Sequence, residues 1–320
     1  MIARIAIVVG VSALALVVAP VLGPSLDPDS ASFVLAQLRL PRVVLGALVG
    51  MALGVVGAVF QTLFENPLAT PSTLGTTAGA SLGALAVLVV VPPGLGGGWV
   101  SGTVLVGMGA FIGAGLVTLG VALLAVSRRV SLADLLLVGI AVSLAAGAVS
   151  LGLQVRADAA TTYRAVRWSL GSLSTVGWWV PLGLAPVVVL GTLPLFGFTR
   201  ALEAVSAGAE QAAAQGVSLR RLRWVALSAG SLVVGSCVAA VGPLAFVGLV
   251  VPHIVRLVVG DAPRRLLPLS AVVGAAFLPL ADGLARVLVP GQDLPVGVLT
   301  AAIGAPALIA LLLFKRRGPS

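Results

Sequence analysis

The residues of this sequence best placed to do chemistry are few and mostly cationic. Arg39 and Arg42 stand three apart in "RLPR" (39–42), with a proline fixing the turn before an apolar run. Two guanidinium forks so spaced face one side and suit carboxylates on a docking partner, because a planar fork binds a carboxylate through two parallel hydrogen bonds. Arg286 follows Asp282 by four residues. That is the acid-first order of a helical i,i+4 pair, which by itself lets both charges sit near a membrane surface. Arg156, Arg164 and Arg167 fall in "VRADAATTYRAVRW", where interfacial arginines equally serve lipid headgroups.

Catalytic groups are scarce. The single lysine, Lys315, lies in the last six residues, so the phosphate-binding loop that ends in Gly-Lys-Ser/Thr cannot be built. His253, in "GLVVPHIVRL", is the only histidine and has no nearby cysteine or carboxylate, which suits packing or hydrogen bonding better than metal ligation. Cys237 stands alone, which excludes a disulfide framework and a cysteine metal site. No Ser/His/Asp triad or paired carboxylates present themselves. The sequence therefore predicts no enzyme active site, no metal and no bound cofactor.

The elements that position these residues are apolar. Of the 320 residues 59% are hydrophobic and only 9% charged, against about 25% charged in a soluble domain. A span needs about 20 apolar residues. The 62-residue charge-free run 66–127 holds two helices, and the 32-residue run 224–255 holds two short ones broken at Val241-Gly242-Pro243. With one helix from each remaining run the expectation is an all-α integral membrane protein of ten transmembrane helices. The first run lacks a small-x-small cleavage site and reads as a retained anchor. Threading from a cytoplasmic N-terminus places twelve basic residues inside and six outside: Arg39, Arg42, Arg156, Arg164, Arg167 and Arg286. This satisfies the positive-inside rule and puts both termini in the cytoplasm. The net charge of +9 is thus topological, and no nucleic-acid partner is expected. Ionisable residues at midplane depth, which proton- or sodium-coupled carriers use, are nearly absent, so a secondary transporter is the weaker alternative.

Small residues recur where helices must pack. Gly46, Gly50 and Gly54 repeat every four residues with Gly57 behind them, and Gly109 and Gly113 repeat the pattern; such faces let backbones approach closely in lipid. In "FENPLATPSTLG" (64–75) Asn66-Pro67 and Pro71 end a helix. Ser131 precedes Asp134 by three, a capping-box spacing that starts the next span. One stretch is polar amid this apolar chain. "RALEAVSAGAEQAAAQ" (200–215) reads as a short helix that Gly216 ends, and Ser218 caps the next turn. Lying between the sixth and seventh spans, it suits either a groove on a cytoplasmic partner or an ordinary loop.

Over nearly its whole length the sequence resembles the FecCD-type permeases of ABC importers for cobalamin, haem and iron–siderophore complexes. The resemblance rests on "RLPR" (39–42), "FENPLATPSTLG" (64–75), "EQAAAQGVSLRRLR" (210–223), "VGPLAFVGLVVPHIVRLVVG" (241–260), "RRLLPLSAVVGAAFLPLADGLAR" (264–286) and "LPVGVLTAAIGAP" (294–306). It implies a type II ABC importer permease fold in one transmembrane domain, 1–320, with a coupling-helix region at 200–223. The implied assembly is a homodimer in the bacterial inner membrane, embedded in lipid, with two ATPase subunits that use ATP and Mg and an extracytoplasmic binding protein. Arg39, Arg42 and Arg286 match positions that meet acidic residues of the binding protein. Asn66 and Leu68 match a cytoplasmic gate, and a second constriction falls at Leu132 and Ala133, where the cobalamin-type pattern has hydroxyl residues. Glu210, Ala212, Ala213, Ala214, Gly216, Val217, Ser218, Arg220 and Arg221 match the surface that couples to the ATPase. The implied substrate is an iron chelate, a ferric siderophore first, then haem, then cobalamin.

Overall fold

The computed structural model describes residues 1–23, 29–91, 102–126, 131–174, 177–288 and 293–315. Among them all regular structure is helical. In chain order the helices are α1 (Ile2–Val18), α2 (Ala31–Leu63), α3 (Thr76–Val90), α4 (Gly102–Val126), α5 (Leu132–Val155), α6 (Ala159–Ser169) and α7 (Trp179–Gly197). They continue with α8 (Thr199–Ser206), α9 (Ala209–Ala214), α10 (Leu219–Val241), α11 (Val247–Val259), α12 (Pro263–Leu288) and α13 (Val296–Lys315). Six of these, α2, α4, α5, α7, α10 and α12, are long and apolar enough to cross a membrane; α1, α3, α11 and the Val296–Ile309 part of α13 are shorter apolar helices. The 66–127 run does hold two helices, and the 224–255 run breaks where expected, with Gly242 at φ +75°.

Helix α2 is the central post. Its most apolar window is 78% buried, against 17% for α5. The glycine ladder explains why: a Cβ added at Gly50 would lie 2.0 Å from the Gly274 carbonyl oxygen of α12, and one at Gly57 would lie 1.9 Å from the Gly248 carbonyl of α11. Contacts this close exist only without side chains, and they replace the hydrophobic force that lipid does not supply. The Gly109 and Gly113 pair works likewise against Gly83 and Gly79 of α3.

Near its start α2 widens into a π turn over Val34–Arg39. Pro41 has no N–H to give back to the preceding turn. The carbonyls of Ala36 and Gln37 are instead taken from outside the helix, by the Trp178 indole N–H at 3.0 Å and the Gly177 N–H at 2.8 Å. The proline thus stitches α2 to the start of α7.

The bundle has two ends. One gathers the arginines with the close of α1 and the starts of α7 and α13. The other gathers the N-terminus, where Arg265 meets the Met1 sulfur at 2.6 Å, with α8, which Glu203 joins to Arg264 at 2.7 Å. Since α13 starts beside Gly171 at the arginine end and rises about 1.5 Å per residue, it runs toward the α8 end.

Two expectations are revised. "VRADAATTYRAVRW" is not a bare connection: it forms α6, whose N-cap Asp158 accepts from the Thr161 amide at 2.9 Å. The polar stretch after Arg200 is not one helix but two, α8 and α9. Gly208, at φ +126°, breaks it in a conformation that side-chain-bearing residues avoid.

Candidate functional site

A groove of about 680 Å³ runs along the outside of α2. Val49 and Leu53 of α2, Cys237 and Val241 of α10, Phe246, and Val298 and Ala301 of α13 supply apolar walls, and Leu68 to Thr73 supply the rim nearer the α8 end. The hydroxyls of this rim are turned on themselves. Thr73 Oγ1 donates to the Thr70 carbonyl at 2.6 Å, and Thr70 and Ser72 share a hydroxyl hydrogen bond at 2.8 Å. A wall so satisfied can pass a bulky molecule while holding it weakly. Phe246 projects from a left-handed backbone position, φ +64°. It fits because residue 304 is glycine: a Cβ there would lie 2.3 Å from the Phe246 Cβ.

The rim carries one of the two segments expected to form a gate. Glu65, at φ +49°, turns the chain out of α2, and Asn66 Oδ1 then accepts from the Leu68 amide at 2.9 Å, an Asx turn that fixes the loop. Leu68 is exposed toward the groove. Ala133 is exposed in the first turn of α5, and the Leu132 side chain lies outside the described residues. Ser131 and Asp134 form the expected capping box. The two segments abut one helical face further on, where a Cβ at Gly139 of α5 would lie 2.1 Å from the Thr73 carbonyl oxygen.

At the arginine end the expectation of outward-facing forks needs correction. Arg39, Arg42 and Arg286 are all buried. Arg42 donates from Nε to Asp282 Oδ2 at 2.7 Å and from Nη2 to Oδ1 at 2.8 Å. Arg286 Nε lies 3.4 Å from the same Oδ2, and its Nη2 donates to the Ala19 carbonyl at 2.9 Å. Arg39 donates to the Pro20 carbonyl at 3.1 Å. Asp293 approaches Arg42 at 3.9 Å from an exposed position. The reason is desolvation: a carboxylate buried this deeply must be paired, and the arginines supply the pairing.

At the other end α9 shows Glu210, Ala213 and Ala214 to solvent, followed by exposed Gly216, Ser218, Arg220 and Arg221 and half-buried Val217. Ala212 is fully buried against the chain itself, so it is no part of an outward surface. Gly216 takes φ +82° to end the segment, and Ser218 Oγ accepts from the Arg221 amide at 3.4 Å to start α10.

One half-buried group has no counterpart among the site residues singled out by sequence. Arg256 of α11 donates to Gln61 Oε1 of α2 and pairs with Asp261 at 3.0 Å, and Gln61 in turn donates to the Gly248 carbonyl at 3.2 Å. A lone arginine inside an apolar run was the available signal, since such a charge needs partners from other helices. Among the described residues no group of three His, Cys, Asp or Glu could hold a metal ion.

Comparison with known proteins places this geometry. The family model described as the FecCD transport family matches residues 2–314. The chain is 38% identical over 302 residues to an uncharacterized ABC transporter permease protein of Bacillus subtilis, covering 92% of this chain and 84% of that one. It is 33% identical to the Fe(3+)-citrate import system permease protein of the same organism, over 90% of this chain and 84% of the relative. It is also 38% identical to the cobalamin import system permease protein of Halobacterium salinarum, over 89% and 74%. A solved structure described as an inward-facing conformation of a metal-chelate type ABC transporter superposes with a TM-score of 0.83 at 29% identity, covering 96% of this chain and 98% of that one.

Proposed function

The chain belongs to the FecCD transport family and is a permease subunit of an ABC importer, and from that premise we propose that it carries a ferric chelate, a ferric siderophore first, across the bacterial inner membrane. Haem and cobalamin rank after it. The observation that carries this reading is the groove: about 680 Å³ of mostly apolar wall with its rim hydroxyls internally satisfied, and no charged side chain among the described lining residues. The likeness to the Fe(3+)-citrate permease favours an iron chelate, while the cobalamin permease match keeps the corrinoid in the comparison.

In this reading six long and four shorter apolar helices all cross the bilayer, both termini are cytoplasmic, and two copies enclose the path. Asn66, Leu68, Leu132 and Ala133 narrow its cytoplasmic end. Glu210, Ala213, Ala214, Gly216, Val217, Ser218, Arg220 and Arg221 meet the ATPase subunits, which use ATP and Mg. The arginine end receives the binding protein, with Arg42 already engaged by Asp282.

The test is uptake by liposomes that contain the dimer with its ATPase and binding protein. Iron-55 siderophore should accumulate only when ATP is inside the ATPase compartment. Uptake of cobalamin with no uptake of any ferric chelate would overturn the substrate reading, and accumulation driven by a proton gradient without the ATPase would overturn the importer reading.

A further inference from the structure

A second groove, of about 310 Å³, lies between α3, α5 and α6. It adjoins the first: Ser169 lines both. Its wall is apolar at Leu85, Leu88 and Trp168 but carries a row of polar groups as well. Ser143, Gly147, Ser150 and Gln154 of α5 face it, with Ser81 of α3 opposite. At about 100° per residue these four positions of α5 fall within an arc of roughly 60°. Leu137, Leu144 and Leu151 point elsewhere and are more than 60% exposed, as lipid-facing residues are. The helix therefore has one greasy face and one uncharged polar face.

The polar face is not consumed by the protein. Ser143 returns its hydroxyl hydrogen to the Gly139 carbonyl at 2.8 Å. Among the described residues the side chains of Ser81, Ser150 and Gln154 have no hydrogen-bond partner. Ser81 and Ser150 lie within apolar helices, where a polar group without a partner is costly against lipid, and Gln154 lies at the end of α5 before Arg156, so these groups suit a wet or ligand-filled space. Hydroxyls and an amide both donate and accept, and no charge is present to hold a ligand tightly.

We propose that Ser150 and Gln154, with Ser81 and Ser143, form a hydrogen-bonding station for the oxygen-rich rim of a chelate, and so favour ferric carboxylate or hydroxamate complexes over flat apolar macrocycles. This rests on the permease reading above, which supplies the substrate but not the residues. Two measurements separate them. In a Cys237→Ala background, Ser150→Cys in the nanodisc-reconstituted chain should react with a membrane-impermeant maleimide at least about tenfold faster than Leu151→Cys, a contrast set by lipid shielding of one face. Equal, slow reaction would place the face against lipid or a second copy and overturn the station.

In the assembled transporter, Ser150→Ala with Gln154→Leu should raise the KM for ferric citrate by about tenfold, the scale of one or two net hydrogen bonds. The KM for haem should stay within about twofold. Equal change for both probes would overturn the inference. Wild-type liposomes taking up neither probe with ATP, together with the expected maleimide contrast, would instead overturn the permease reading and leave a wet polar groove of another purpose.

Discussion

Arg42 and Asp282, 240 positions apart in sequence, form a two-bond fork at 2.7 and 2.8 Å inside the arginine end of the bundle. The pair joins α2 to α12, the same two helices that the Gly50–Gly274 contact holds together. Asp282 carries Arg286 as well, so one carboxylate positions two of the three clustered arginines.

Asp282→Ala should therefore be among the most damaging substitutions in the chain. It leaves two buried guanidinium groups without their shared counterion, a change that costs about 3–5 kcal/mol when one partner of a buried pair is lost. The thermal midpoint in detergent should fall sharply, and Arg42→Met and Arg286→Met combined with Asp282→Leu should recover most of the loss. Equal stability of Asp282→Ala and wild type would show the fork to be unimportant.

The glycine ladder gives a sharper contrast. Gly50→Ala places a methyl 2.0 Å from the Gly274 carbonyl oxygen, whereas Gly115→Ala meets nothing within 4 Å. The first should destabilise by at least the roughly 1–3 kcal/mol typical of overpacking, since backbone must move, and the second should be neutral. Melting curves of the two variants side by side decide it.

Ala213 and Ala212 are neighbours with opposite fates. Ala213→Trp adds bulk to an exposed surface and should yield an inserted dimer that no longer co-purifies with its ATPase. Ala212→Trp adds it to a buried site and should lower expression and stability as well, since an indole cannot fit there without repacking. Retention of the ATPase by Ala213→Trp, with transport intact, would reduce α9 to a solvated segment.

Binding-protein association should weaken with salt if the arginine cluster steers it. Arg39→Glu should lower the association rate about tenfold at low ionic strength and far less at high salt, as measured by surface capture on nanodiscs. A rate indifferent to both salt and substitution would assign these arginines to the fold alone.

The glycine spacing, the capping box at Ser131 and Asp134, the break at Gly242-Pro243 and the i,i+4 order of Asp282 and Arg286 were all legible in the sequence. Each is a local matter: period, dihedral preference or cap chemistry acts within a few residues. The same locality explains the apolar runs, whose length alone sets the helices. What the sequence could not tell was who meets whom. That Gly50 chooses Gly274, that Arg42 turns inward to Asp282, that Phe246 is admitted by Gly304, and that Ala212 faces in while Ala213 faces out depend on how helices cross. Those crossings are fixed by the mutual fit of surfaces distant in sequence, and no single segment contains them. The paired grooves belong to the same class, because a space between helices exists only once the helices are packed.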